Sequence, residues 1–320
     1  MKKIEEVIGT KLSSKNLLSI SDFSKEQIYS VFDLTKKMKD GTISADDQRE
    51  FLKGKTLAMI FEKPSLRTRV SFETGIFQLG GQAINLQPSD IALGKRESIY
   101  DAAKNFERMV DIIMARVYEH STVADLAEHA KIPVINGLSD LEHPCQAMAD
   151  FMTILEHKGK LEGLKVSFIG DGNNVAHSLM LFAGKVGCNF TIGCPFGYEP
   201  AEEIFDQAQS YAKETGAEII LYNDPMDAVK DADVVYTDVW ASMGQEAEAE
   251  AREEVFAPFQ VNTDLMSNAK SDTIFMHCLP AHRGLEVTDE VIDSKQSVVF
   301  DEAENRLHVQ KAIMVMLSYL

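Results

Sequence analysis

Two α/β domains, each a doubly wound parallel sheet, joined by interdomain helices, are what the sequence predicts from three observations. Short apolar runs alternate with segments of helical period along the chain, the pattern of repeated β-α units. The alternation stops at Gly159 to Gly163 and then restarts. At 320 residues the chain is long for one domain and sufficient for two cores. The first domain is placed at residues 1–145 and the second at 146–301, with a closing helix over about 302–320.

Residues Leu18 to Lys37 open with Ser19-Ile20-Ser21-Asp22 and continue with Ile28, Val31, Phe32 and Leu34, a capped helix that serves as scaffold. Thr56 to Phe61 is an apolar run that reads as a buried strand. After it, Glu62-Lys63-Pro64-Ser65-Leu66-Arg67-Thr68-Arg69 opens a helix whose inner face carries Phe72, Ile76 and Leu79. Pro64 ends the strand and Ser65 is a good N-cap, so helix-start amides and the positive end of the dipole lie at this turn. Such a place binds anions, and two arginines and two hydroxyls within five residues suit a phosphate. Arg69 has Glu73 four residues on and reads equally as a surface ion pair or a ligand contact. Arg67 has no local counter-charge, which favours anion binding.

Gly80-Gly81 makes a break before a short strand, Gln82 to Leu86. The polar stretch Gln87 to Arg96 either moves over a site or is an ordinary solvated loop. Ser98 caps a helix through Val110, and Asp111 to Ala115 is the next strand, with Arg116 at its carboxyl end. Ile132 to Ile135 is a further strand, leading to Asn136-Gly137-Leu138-Ser139-Asp140-Leu141-Glu142-His143-Pro144-Cys145-Gln146. His143 then starts a helix, with Gln146 on the same side. A histidine beside a proline is commonly just a helix-start residue. Here it shares with Arg67 and Arg116 the strand-end rim where open α/β sheets bind ligands.

The helix from Cys145 to about Lys158 joins the halves. Leu164 to Ile169 is a strand, and Gly170-Asp171-Gly172-Asn173-Asn174-Val175 opens a helix through Val186. A dinucleotide reading is tempting here and fails twice, because Val175 stands at the third glycine position and the strand Asn189 to Gly193 ends in Cys194-Pro195 rather than an acid. Further units follow: a helix from Glu199 to Thr215, strand Glu218 to Leu221, a short helix from Asp224, and strand Ala232 to Thr237. Asp238-Val239-Trp240-Ala241-Ser242-Met243-Gly244 closes that strand, and the glutamate-rich run from Glu246 to Glu254 reads as a solvated helix face. The last strand, Thr273 to Met276, runs into His277-Cys278-Leu279-Pro280. His277 and Cys278 should point to opposite faces, which argues against a nucleophile. Zinc held by Cys278 and His282 lacks two ligands. A buried structural cysteine is the plain alternative, yet Cys278, Asp238 and Asn174 end three strands of one half.

The string Phe61-x-Lys63-Pro64-Ser65-x-Arg67-Thr68-Arg69 resembles the carbamoyl-phosphate loop of the aspartate/ornithine carbamoyltransferase family, with Leu66 where the family usually has threonine or glycine. Four further strings resemble the same family in the same order. They are His143-Pro144-Cys145-Gln146, Asp238 through Ser242-Met243-Gly244, His277-Cys278-Leu279-Pro280 and Glu302-Ala303-Glu304-Asn305-Arg306. The Asp-x-x-x-Ser-Met-Gly loop resembles the branch that uses ornithine. The resemblance covers nearly the whole chain and implies transfer of a carbamoyl group from carbamoyl phosphate to the δ-amine of L-ornithine, giving L-citrulline and phosphate. It implies that Ser65, Leu66, Arg67, Thr68, Arg116, His143, Pro144, Cys145, Gln146, Cys278, Leu279 and Arg306 hold the donor. Asn174, Asp238, Ser242 and Met243 would hold ornithine, and Cys278, Asp238, Arg116 and His143 would be catalytic. Read as a residue type alone, Cys145 is core or filler. The closing helix is expected to return to the first domain, and the two rims to face one cleft. A homotrimer or higher multiple is implied, with no metal or redox cofactor. A carbamoyltransferase for another amine such as putrescine, or a non-catalytic phosphometabolite-binding relative, fits the same residues.

Composition bounds these readings. With 32 basic against 50 acidic residues the net charge is −18, which repels nucleic acid and acidic membrane surfaces, so a phosphate must be held by local arginines. The start Met1-Lys2-Lys3-Ile4-Glu5-Glu6 is unlike a signal peptide, and no apolar run approaches a membrane span. Four cysteines, Cys145, Cys188, Cys194 and Cys278, are too sparse for a disulfide framework, and a soluble cytoplasmic protein is expected.

Overall fold

The apolar runs form two parallel sheets. The computed structural model describes residues 9–91, 93–94, 96–241 and 246–320. The chain divides into a first unit that ends at Met148 and is resumed by Glu304–Leu320, and a second unit, Ala149–Ala303. The first unit runs α1 (Lys25–Lys39), α2 (Ala45–Gln48), β1 (Thr56–Phe61), α3 (Leu66–Gln78), β2 (Gln82–Leu86), α4 (Ile99–Phe106), β3 (Ile112–Arg116), α5 (His120–His129) and β4 (Val134–Leu138). Its strands pair in parallel in the order β2-β1-β3-β4. All six residues of β1 are buried, as a central parallel strand requires.

Helix α6 (Pro144–Lys158) carries the chain into the second unit, which continues with β5 (Lys165–Ile169), α7 (Asn174–Val186), β6 (Asn189–Gly193), α8 (Glu202–Thr215), β7 (Ile219–Tyr222), α9 (Pro225–Val229) and β8 (Val234–Thr237). Then come α10 (Ala249–Phe256), α11 (Thr263–Met266), β9 (Ile274–His277) and α12 (Asp289–Ile292), before α13 (Val299–Ser318) returns to the first unit. The order here is β7-β6-β5-β8-β9, again parallel. Its core includes stacked rings, Phe151 on Phe182 at 4.1 Å and Phe168 on Tyr236 at 5.8 Å.

These two orders decide where ligands can sit. In each sheet the winding reverses, between β1 and β3 in the first unit and between β5 and β8 in the second. A crevice opens at the carboxyl ends of the strands on either side of such a reversal. The loops at those ends are the Ser65 turn with Arg116, and the Gly170 loop with Asp238. A bulge sharpens the first: Ala115 pairs with Asn136 but Arg116 with Leu138, so Gly137 is the extra residue. A Cβ at Gly137 would lie 2.5 Å from Met114 Sδ, so any larger residue would displace that buried side chain.

Several boundaries differ from the sequence reading. The first helix is split, because two capping boxes follow each other: Ser19 with Asp22 closes a 3₁₀ turn over Ile20–Asp22, and Ser24 with Gln27 starts α1 proper. Helix α4 stops at Phe106 in tight turns, Arg108 N to Asn105 O and Met109 N to Phe106 O, and does not reach Val110. The acidic run is not purely solvated. It carries Arg252, buried, whose guanidinium donates to Asp171 Oδ2 and the Trp240 carbonyl, both at 2.9 Å, and to Glu248 at 3.1 Å. Among the described residues, no helix is long and apolar enough to cross a membrane.

The return of α13 is anchored by a buried lysine. Lys311 Nζ donates to Gln48 Oε1 at 2.6 Å and to Gln78 Oε1 at 2.9 Å, and burial lowers its pKa from 10.5 to about 8. Below about pH 8 the folded chain therefore carries a buried cation; between that value and 10.5 only the unfolded chain is charged, so stability climbs with pH across this window. Relative to the parent, Lys311→Met should lose about 1–2 kcal/mol of stability between pH 7 and pH 10, after discounting for solvent screening, as read by denaturant melts.

Candidate active site

The first unit builds a cationic pocket around the start of α3. Ser65 caps that helix, its Oγ accepting Thr68 N at 3.3 Å, and the first-turn amides have no acceptor within the helix. Leu66 is 74% exposed, so only its backbone faces the turn, and the unusual side chain at that position is spent on solvent. Thr68 is buried and its Oγ1 accepts Arg306 Nη2 at 2.9 Å, while Arg306 Nη1 donates to Gln146 Oε1 at 2.8 Å. One guanidinium on α13 thus ties the starts of α3 and α6 together.

Arg116 is buried at the end of β3, directly beside Phe61 in the β1 register, and its carbonyl accepts Glu62 N at 2.8 Å. His143 immediately precedes α6, its carbonyl accepting Gln146 N and Ala147 N. The imidazole is held well below the ordinary histidine range, first by burial and then by the charges of Arg306, Arg116 and Arg67. His143 is therefore uncharged at neutral pH. The three arginines named from sequence do converge, and His143 marks where. Arg69 does not join them; it pairs with Glu73 at 3.3 Å with both side chains half exposed.

The Cys145 thiol is fully buried, donates to the Asn136 carbonyl at 3.5 Å and is pushed up to about 12 by burial, as its reading as core or filler expects. Pro144 is the first residue of α6, where a missing N–H costs nothing. Sequence reasoning gave no role to Lys63, which is buried with its ammonium 4.4 Å from the Tyr118 ring centroid. Burial and then Arg116 lower its pKa. The only signal was its place in the Phe-x-Lys-Pro-Ser string.

The second unit builds a pocket of opposite sign. Asn173, not Asn174, caps α7, its Oδ1 accepting Val175 N and Ala176 N. Its Nδ2 donates to Asp238 Oδ2 at 2.9 Å across the β5/β8 reversal. Asn174 is half-buried in the first turn of α7. Asp238 is buried and its Oδ1 accepts both Val239 N at 2.8 Å and the Cys278 thiol at 3.0 Å. Burial and then Asp238 raise the Cys278 thiol well above its ordinary value, so Cys278 is a neutral donor and no thiolate nucleophile.

His277 lies closer to Cys278 than alternation along a strand suggests. One ligand-type atom each from Asp238, His277 and Cys278 falls within 4.8 Å of the others. Yet His277 Nδ1 accepts Leu279 N at 2.8 Å and Nε2 donates to Glu286 Oε1 at 3.1 Å. No imidazole lone pair is left for metal or thiol, and the two remaining donors are fewer than the three protein ligands of a catalytic zinc site. His282, the other histidine considered for zinc, donates its backbone amide to Glu286. Ser242 and Met243 lie outside the described residues. The Gly170 loop is closed to a dinucleotide, since a Cβ at Gly172 would meet Pro200 N at 2.2 Å and Gly172 N already donates to the Tyr198 carbonyl.

Comparison with known proteins agrees with both halves. Residues 15–156 match the carbamoyl-phosphate-binding domain of aspartate/ornithine carbamoyltransferases, and residues 162–317 match their Asp/Orn-binding domain. The chain is 56% identical over 306 residues to the ornithine carbamoyltransferase of Thermococcus kodakarensis, covering 96% of this chain and 97% of that protein. It is 53% identical over 313 residues to the Bacillus subtilis enzyme of the same name, covering 98% and 97%. The solved ornithine carbamoyltransferase of Pyrococcus furiosus superposes with a TM-score of 0.93 at 55% identity, covering 96% of this chain and 98% of that one.

The raised thiol makes a direct prediction. Cys278 should alkylate with iodoacetamide at pH 8 at least tenfold more slowly than a free thiol, and Asp238→Asn should speed it by removing the neighbouring charge. Peptide mapping by mass spectrometry reads the rate; a fast parent reaction would mean a thiolate.

Proposed function

The chain belongs to the aspartate/ornithine carbamoyltransferase family, and from that premise we propose that it transfers the carbamoyl group of carbamoyl phosphate to the δ-amine of L-ornithine, releasing L-citrulline and phosphate. The observation that carries the reading is the uncharged His143 beside Arg67, Arg116 and Arg306. A cluster of cations calls for a dianion, and a neutral imidazole beside it calls for the uncharged end of the same ligand.

In this reading the Leu66 to Thr68 amides, Ser65, Arg67, Thr68 and Arg116 hold the phosphate. His143 and Gln146 hold the carbamoyl group, with Arg306 polarising its carbonyl. Arg306 is fixed by Thr68 and Gln146 before any ligand arrives, so its donors are pre-aimed. Asn174, Asp238, Ser242 and Met243 take ornithine's α-amino and carboxylate ends, while Cys278 and the Leu279 carbonyl receive the δ-amine.

The reacting amine must be neutral. With lysine's pKa of about 10.4 as a guide, roughly one molecule in a thousand is neutral near pH 7.4, a deficit of ~4 kcal/mol. Desolvation recovers part of that, and acceptor groups at Asp238 and Cys278 orient the lone pair. The nitrogen then bonds to the carbamoyl carbon, the C–O bond to phosphate breaks, and the nitrogen's surplus proton goes to the departing phosphate. The arginines stabilise the charge that builds on the leaving oxygen.

The reading includes a homotrimer or higher multiple in the cytoplasm. An apolar stripe on α3 supports self-association: Leu66, Val70 and Phe77 are 74%, 53% and 71% exposed.

Purified protein given carbamoyl phosphate with ornithine, aspartate, putrescine or N-acetylornithine should form product only with ornithine; turnover of putrescine alone would reassign the acceptor. Arg67→Ala should raise the KM for carbamoyl phosphate about 100-fold, the loss of ~2–3 kcal/mol of charged hydrogen bonding, with an unchanged melting temperature. Cys278→Ala should impair ornithine more than carbamoyl phosphate in steady-state kinetics.

A further inference from the structure

Two carboxyl groups that this chemistry does not use lie beside the second unit's site. Asp150 on α6 and Glu302 on α13 are both fully buried, and both reach the phenol of Tyr236, also fully buried, two residues before Asp238. Tyr236 Oη lies 3.2 Å from Asp150 Oδ2 and 3.1 Å from Glu302 Oε1. The second oxygen of Glu302, Oε2, accepts the His277 amide at 3.0 Å.

Counting hydrogens constrains this arrangement. A phenol has one proton and can donate it to only one of the two carboxyl oxygens. At the other contact lone pairs would oppose each other unless that carboxyl carries a proton of its own. Glu302 Oε2 accepts His277 N–H and Glu302 also hydrogen-bonds Asp150 directly, so one added proton held between the two carboxyls satisfies every contact, with Tyr236 Oη–H donating to the carboxyl that stays ionised. The electrostatics agree: burial first and Asp150 second raise both Glu302 and Tyr236 well above their ordinary values, and Cys278 and Asp238 add to the effect on Tyr236.

We propose that Asp150, Tyr236 and Glu302 are positioning residues for the acceptor site: the two carboxyls share one proton beside the phenol, and this relay grips the His277 amide and fixes the turn that carries Cys278 and Leu279. The turn needs such a grip. Leu279 at φ +55° adopts a backbone conformation that side-chain-bearing residues keep only where the surroundings hold it. The two residues before it are both tied, His277 N to Glu302 and Cys278 Sγ to Asp238. A third ionised carboxylate, beside Asp238 and one member of the Asp150–Glu302 pair, would load the pocket with like charge, which the shared proton prevents. The proposal rests on the ornithine reading for the site's purpose, while the proton itself is observable without turnover.

Infrared difference spectra of the full chain at neutral pH, parent against Glu302→Gln, should show a protonated carboxyl C=O stretch that the variant lacks. Glu302→Ala should raise the KM for ornithine about tenfold or more while leaving that for carbamoyl phosphate within about threefold. Glu302→Gln, whose amide oxygen can accept His277 N–H and whose NH2 can donate to Tyr236, should restore most of the loss. If the alanine variant does not fold, Tyr236→Phe replaces it, with the same split in KM expected. Absence of the band in the parent, or a folded Glu302→Gln as damaged toward ornithine as alanine, would overturn the relay. A parent that makes no citrulline but keeps the band would defeat the ornithine reading alone.

Discussion

Three guanidinium groups are held around one uncharged imidazole, and the rest of the first unit is arranged to make that possible. At an effective dielectric of about 20, two unit charges about 6 Å apart repel by ~3 kcal/mol, so such a cluster persists only where other bonds secure each member. Arg306 is secured by Thr68 and Gln146, residues 238 and 160 positions away in sequence. Arg116 is secured by the β1/β3 register and by the bulge at Gly137. The gathered positive charge, together with the positive dipole end at the start of α3, is an electrostatic setting that suits a small dianion.

The second unit solves the converse problem. Asp238 is pinned by an amide nitrogen, an asparagine and a thiol, so its charge has a fixed direction. Burial first and the same charge second keep Cys278 protonated. An acidic, hydrogen-bond-accepting pocket suits a substrate that arrives as an ammonium and must lose a proton to react. Both pockets stand where their sheets reverse winding order, so the fold alone accounts for the location of each, and the side chains account for the sign.

Much of this was legible because the informative residues are local in sequence. A strand, a proline, a serine and an arginine in succession define an anion turn without reference to distant contacts, and the strand ends at Arg116 and Asp238 follow from β-α alternation. What could not be read depends on pairs far apart. Nothing near Glu302 or Asp150 announces that Tyr236 joins them, and the seat of Arg252 on Asp171 turned a run taken as solvated into a partly buried helix. Cys145 reads as core by residue type, and its thiol, buried against the Asn136 carbonyl, agrees, a contact that the motif around it does not reveal. Asn173 and Asn174 are adjacent and chemically alike, and only the cap geometry separates the one that holds Asp238.

The central claim is that the cationic cluster around His143 receives the phosphorylated donor. A crystal structure of the protein soaked with carbamoyl phosphate tests it most directly. The account predicts phosphate density on the Leu66 to Thr68 amides, Arg67 and Arg116, with the carbamoyl end against His143 and Gln146. Ligand seated on the Gly170 to Asn174 loop instead, or a saturating soak that leaves the cluster empty, would contradict it.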